Sequence, residues 1–548
     1  MNKIFCDRSR AISYQRCRRL RWLEYHQDGL GIVSAKKSLP LVVGGSVHRG
    51  LEFLLRAMMD ELFVEDFVNG NADARMVALE DAAVAAALAD LAEHSGALEL
   101  DAFERAAMQQ QPDKLDAQLA GSLGMTLEEA GLPSVEQRYA QGMSQFDAYL
   151  AKEQAALVEA MVRAYARRRL RPLLEQFIVL EVEREGEWKL SEWPPLEFIK
   201  PENEAMADAE LWFMSRPDAL LLERESQQLY LLSFKTAASW DIRKEKDAQH
   251  DMQGLSEGVE VEKRLAEWWD AARTIGNNAE NDWQKAGFKE SPSPAMFEFL
   301  ISQPSAPRIL AIRMEFLLKG ERWKDKELSA QLGMDCRSQR TPLVRHYVAT
   351  SVPKGNTTFT HGDINWSWDY LRVEDMKESS LAWQNHKSQP VWERMSIREW
   401  IDLLDQSQEV MSGEDSTVGL EPRVLGWGGP AQKLGVTKQH PLDAVFIPPI
   451  VIYRNEDELR DLVEGLEAQE VEIAEAVAQI EAATDEGERR SLLNRKFQLY
   501  RNSCQWPSQC AMLPVCFGGD EIKRNPLGSG LYKIRTVNHP IELEGRKP

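Results

Sequence analysis

The stretch SRPDALLLERESQQLYLLSFKTA, residues 215–237, decides how this chain is read. DALLLE and LYLLSFK are short apolar runs flanking the polar RESQQ, the pattern of two strands joined by a turn. With the turn near Ser226, Asp218 and Lys235 are expected opposite each other at one end of an antiparallel pair. The two-residue repeat of a strand puts Ser233 and Lys235 on one face. An acid and a lysine gathered this way suit phosphodiester cleavage. That chemistry uses a divalent cation on carboxylates and water, which polarises the phosphate and acidifies a bound water. A nearby lysine can orient the water or offset charge on the phosphate.

Outward from this hairpin, further strands are expected at QFIVLEVERE, AELWFM and RILAIRMEFLLKGERW, where Ile312, Met314, Phe316 and Leu318 alternate with Arg313, Glu315 and Lys319. Residues 241–275 read as helical. Upstream, LVVGGSVHRGLEFLLRAMMD, residues 41–60, reads as a glycine turn followed by an amphipathic helix carrying His48. Residues 1–26 read as a helix with a basic face. Residues 72–175 have helical composition and end in the basic RAYARRRLRP. Residues 455–500 read as a helical hairpin with a narrow apolar seam, expected to pack on the body. The fold class is α/β. The expected regions are 1–60, N-terminal helices; 61–175, a helical insertion; 176–325, the core; 326–454, mixed and functionally silent; and 455–548, the helical hairpin with a cysteine cluster.

These residues together resemble the PD-(D/E)XK nuclease superfamily, its RecB-like branch in particular. Pro217-Asp218 stands as the "PD", and Ser233-Phe234-Lys235 stands where D/E-X-K belongs, followed by Thr236. GGSVHRGLE places His48 where the branch carries a metal-binding histidine. AQHDMQG offers Gln249 and Gln253 for its glutamine helix, Gln253 being preferred. The resemblance implies a restriction-endonuclease-like core sheet flanked by helices. It implies Asp218, Lys235 and Gln253 as catalytic residues and His48, Asp218 and Glu183 as ligands of Mg2+ or Mn2+. Ser233 departs from the pattern, because a neutral hydroxyl replaces a carboxylate. Glu181 and Glu183, on one face of the preceding strand, are the foremost candidates to supply the missing acid, with Asp241 and Glu245 behind them. Otherwise the site binds metal poorly and cuts slowly, or no longer cuts.

Cys504, Cys510 and Cys516 recur with five residues between each pair, looser than zinc pairs usually are. A fourth ligand is needed, and Cys17, in ISYQRCRRLRWLEY, can supply it; Cys6 is a substitute and Cys336 a bystander. RecB-like nucleases with an iron–sulfur cluster have one cysteine near the start and three after the core. The resemblance therefore implies a structural [4Fe-4S] cluster on Cys17, Cys504, Cys510 and Cys516, with zinc as the alternative. Such a staple would hold Arg16, Arg18 and Arg19 near the cleft, where they could contact phosphates. RRRLR at 167–171 could do the same.

The chain has 548 residues, 43% of them hydrophobic, enough for packed cores. A net charge of -21 argues against a histone-like coat on DNA but leaves room for a local basic groove. No signal peptide or membrane span is visible, so a cytoplasmic protein is expected. No GxxxxGK[ST] occurs, so any helicase or recombination motor would be a separate chain. The leading expectation is a metal-dependent DNA nuclease, an exonuclease or end-processing enzyme of recombination, repair or phage DNA metabolism. Its rivals are a catalytically impaired nuclease fold that binds DNA or serves as a scaffold, and a zinc-stapled structural protein.

Overall fold

A computed structural model describes residues 3–35, 38–71, 73–94, 135–189, 210–240, 246, 252–275, 280–288, 290–332, 336–341, 343–347, 388–393, 395–412, 442, 445–504 and 510–537. The first strands in chain order are β1 (Lys3–Cys6), β2 (Ile32–Ser34), β3 (Phe177–Val182), β4 (Gly186–Lys189), β5 (Glu210–Ser215), β6 (Ala219–Glu223), β7 (Leu229–Ala237) and β8 (Ile309–Leu318). The protein is a mixed α/β structure. Its central sheet has the order Ile450–Tyr453, β8, β7, β6, β3. β3, β6 and β7 form an antiparallel meander, and β8 runs parallel to β7. A parallel neighbour needs a crossover, and helix Met252–Ile275 begins it.

Both faces of the sheet are covered, which is why β6 and β7 read as nearly unbroken apolar runs. Leu221, Leu232 and Phe234 pack against helices Leu39–Ala57, Asp73–Glu93 and Val135–Arg168. Leu220, Leu222 and Leu231 face Leu265 and Trp268 of the crossover helix. The described helices of the 61–175 region thus share one hydrophobic cluster with the helix of His48.

Several expectations change. Ala219 pairs with Leu232 and Leu222 with Leu229. Continued by one residue, that register sets Ser233, not Lys235, across from Asp218. The loop is centred just before Ser226, and the two-residue difference keeps Ser233 and Lys235 on the face of Asp218 in either register. AELWFM does not join the central sheet. As β5 it lies between β1 and β4 in a three-stranded sheet. The N-terminus is not one helix: β1 precedes helices Arg8–Arg16 and Arg18–Tyr25, which break at Cys17, in extended backbone at φ -165°. Gly44 and Gly45 do not form a turn but lie inside helix Leu39–Ala57. A Cβ on Gly44 would stand 2.8 Å from Thr236 Oγ1, so glycine there lets the helix close on β7.

Helices Glu456–Ala482 and Glu486–Lys496 form the expected hairpin. The first buries Leu459 and Val463 beside Cys6 and Ala11 of the N-terminus, and Ile473 and Ile480 beside Leu20 and Leu23. Arg21 Nη2 and Glu470 Oε2, 2.7 Å apart and both fully buried, lock this contact. Among the described residues, no helix is long and apolar enough to cross a membrane.

Candidate metal-dependent nuclease centre

One end of the β3–β6–β7 meander gathers charged side chains that the sequence scatters across the chain. His48 Nδ1 lies 3.4 Å from Asp218 Oδ1. The Phe234 N–H donates to Asp218 Oδ2 at 2.6 Å, fixing the carboxylate against β7. Glu183 follows directly after β3. A register shift between Val179 and Glu181, together with a left-handed backbone at Glu183 (φ 48°), turns the strand end toward Asp218. The Glu183 N–H donates to the Asp218 carbonyl at 3.1 Å, and Arg216 Nε lies 2.9 Å from Glu183 Oε2.

The two acids share one local field. Burial pushes the Glu183 carboxyl up to about 8, and the neighbouring Asp218 charge and a hydrogen bond to it push the same way, against Arg216. Burial would also raise Asp218, but His48, the Phe234 N–H and the Lys235 charge outweigh it and hold that carboxyl below its ordinary value. The surroundings thus push the two apart, favouring the ionised form at Asp218 and the protonated form at Glu183.

Of the two foremost acids offered for the gap at Ser233, only Glu183 reaches Asp218. Glu181 does not share its face: both its oxygens lie 2.8 Å from Arg264 Nη1, on the crossover helix. Ser233 is 1% exposed, and its hydroxyl has no hydrogen-bond partner among the described residues. Gln253 lies in the first turn of helix Met252–Ile275; its side chain, and Gln249, Asp241 and Glu245 entirely, lie outside the described residues. The sequence reading missed Glu52, one helical turn after His48. Its charge acts on Glu183, while Arg49 and Arg56 pair with it at 2.6 and 2.9 Å. The signal was H-x3-E within the expected helix, a spacing that stacks two side chains on one face.

Cys17, Cys504, Cys510 and Cys516 line a single pocket with Leu20, Met512 and Phe517. Burial pushes the Cys516 thiol up to about 11, against the nearby Arg19 charge. Cys6 is elsewhere, fully buried near Glu470 and Arg21, and Cys336 packs with Met143, Phe146 and Leu150. Among the described residues, no group of three or more His, Cys, Asp or Glu side chains is arranged to hold a metal ion. His48, Asp218 and Glu183 are neighbours without converging as ligands, and so are the four cysteines.

The arginines expected to face phosphates have protein partners. Arg16 and Arg19 donate to backbone carbonyls of Ser503 and Phe497, and Arg18 pairs with Glu472 at 2.8 Å. In the second cluster, Arg167 pairs with Glu80 and Asp402, and Arg169 donates to the Ile447 carbonyl.

No family model, curated protein or solved structure matches this chain.

Proposed function

We propose that this chain is a metal-dependent DNA nuclease of the RecB-like PD-(D/E)XK kind, acting on DNA ends in recombination, repair or phage DNA metabolism. The observation that carries the reading is the contact of Asp218 with both His48 and Glu183 at the end of a covered sheet, beside the strand that bears Lys235. The helices on both faces of the sheet fit the expected core.

The donor types present, two carboxyls and an imidazole, are ones a hard divalent cation accepts, although among the described residues they do not converge as ligands. Two buried acids side by side repel when both are ionised, and a cation would relieve what a proton relieves now. Asp218, Glu183 and His48 would hold Mg2+ or Mn2+, which when bound polarises the phosphate and acidifies water. To serve as a ligand, Glu183 would release its proton to solvent. The Phe234 N–H keeps Asp218 oriented. Lys235 orients the attacking water or offsets charge on the phosphate, and Gln253 positions the lysine or the DNA. Glu183, delivered by the bulged end of β3, takes the part of the acid missing at Ser233. The four cysteines enclose one pocket and would hold a [4Fe-4S] cluster, or zinc, that staples the N-terminal helices to the C-terminal segment. A separate helicase or recombination protein is the expected partner.

One observation favours a second reading. The Ser233 hydroxyl is buried and unpartnered among the described residues, as a residue left over from a retired metal site would be. In that reading the fold binds DNA or serves as a scaffold. Titration with Mn2+, followed by electron paramagnetic resonance, separates the two. Binding that is lost in Asp218→Asn and weakened in Glu183→Gln supports the nuclease centre; no binding by folded protein supports the retired one.

A further inference from the structure

The segment that helps line the cysteine pocket runs against the acidic balance of the chain as a whole. The whole protein carries 66 Lys and Arg against 87 Asp and Glu. Between residues 486 and 535 the balance reverses, to nine Lys and Arg against four Asp and Glu. The four acids are Glu486, Glu488, Asp520 and Glu521, all in first turns of helices, where backbone N–H groups already favour negative charge.

Most cations of this segment are also open to solvent, Arg535 being the buried exception. Arg490, Arg495, Lys496, Arg501, Lys523 and Arg524 are exposed, and among the described residues none of them makes an ion pair. Arg16, Arg18, Arg19 and the 167–169 arginines contrast with them, being held by carbonyls and carboxylates. Two aromatic rings stand among the exposed cations. Tyr500 is 39% exposed and Phe517 is 45% exposed, and the Arg501 guanidinium lies 5.9 Å from the centre of the Phe517 ring. Phe517 also borders the cysteine pocket. The apolar side chains of these segments, Leu492, Leu493 and Ile522, pack into the same cluster as Cys17 and Met512, so the segments share one apolar base.

We infer that this surface binds single-stranded nucleic acid, its cations following the phosphates and Tyr500 and Phe517 stacking on bases. Exposed cations alone would suit any polyanion. Exposed rings among them suit a chain whose bases are unpaired and can lie flat on an aromatic face. The inference rests on the nuclease reading for its substrate class and adds where the strand runs: over the C-terminal segment, not over the N-terminal arginines.

The test is fluorescence anisotropy of a labelled single-stranded oligonucleotide with the full-length protein in EDTA, across a salt gradient. Replacing Arg495, Lys496 and Arg501 together by alanine should weaken binding and make the logarithmic salt slope shallower by about two, at about 0.7 for each phosphate no longer neutralised. Tyr500→Ala should weaken binding about tenfold with the slope unchanged, since stacking carries no counterion. Duplex of the same sequence and polyglutamate should compete poorly. Unchanged affinity and slope in the triple variant would overturn the inference. So would Tyr500→Ala without effect while duplex or polyglutamate competes as well as the single strand. Because binding is read without metal, its loss is distinct from failure of the nuclease reading, which is read as cleavage in Mg2+.

Discussion

Glu183→Gln probes the acid pair most sharply. Glu183 moves from an ordinary 4.5 to about 8 in the folded protein. At about 1.4 kcal/mol per unit, that is at most about 5 kcal/mol of folding stability. Its coupling to Asp218 reduces the expected effect to roughly 2–3 kcal/mol. The sign follows from proton binding. Between pH 4.5 and about 8 the folded protein holds a proton that the unfolded chain has released, so stability falls as pH rises through that window. Asp218 acts oppositely: its depressed value contributes stability above pH 3.8 that is lost below it. The assay is urea denaturation of wild type and Glu183→Gln at mildly acidic and mildly alkaline pH, in EDTA and then in Mg2+. Wild type should lose more stability than the variant on going alkaline, and Mg2+ should restore the wild-type loss by replacing the proton. Equal pH dependence in the two proteins would refute the raised Glu183 carboxyl.

Three other outcomes follow from particular contacts. Arg21→Met leaves Glu470 buried and unpaired and should cost about 3–5 kcal/mol in chemical denaturation, whereas Arg21→Met with Glu470→Leu should recover most of it. Gly44→Ala sets a methyl group against Thr236 Oγ1, pushes the His48 helix off β7 and should slow cleavage by about tenfold or more; adding Thr236→Ala should restore the rate. Cys17→Ser or Cys516→Ser should abolish iron in anaerobically purified protein, measured by metal analysis and visible absorption, while Cys6→Ser and Cys336→Ser retain it.

The parts of the fold legible in sequence are those set by local alternation. β3, β6, β7 and β8 announce themselves as apolar runs bounded by turn residues, and the C-terminal hairpin as two helical stripes. Placement was harder. AELWFM reads as well as any strand of the central sheet, yet it pairs with β1, whose KIFC is too short to register as a strand. Cys17 interrupts what composition makes one basic helix. The glycines before His48 suggest a turn, and only the closeness of Thr236 shows that Gly44 serves helix packing. In the site, His48 and Asp218 were found by order and type. Glu183 is the ligand expected from sequence, with Glu181 on the same face; the separation of the two by the bulge in β3 and the positive φ at Glu183 has no local sequence signal. The partners of the arginines have no local signal either: composition reports charge, while the carbonyls and carboxylates that hold Arg16, Arg18 and Arg19 lie hundreds of residues away.

The most direct test is cleavage of end-labelled single- and double-stranded DNA by anaerobically purified protein in Mg2+, Mn2+ or EDTA, beside Lys235→Ala and Asp218→Ala. The expected result is cleavage that requires the metal and disappears in both variants, with Glu183 serving in place of the acid absent at Ser233. Folded, cluster-bearing, DNA-binding protein that leaves both substrates intact in either metal would contradict it and mark the Asp218 corner as a retired active site.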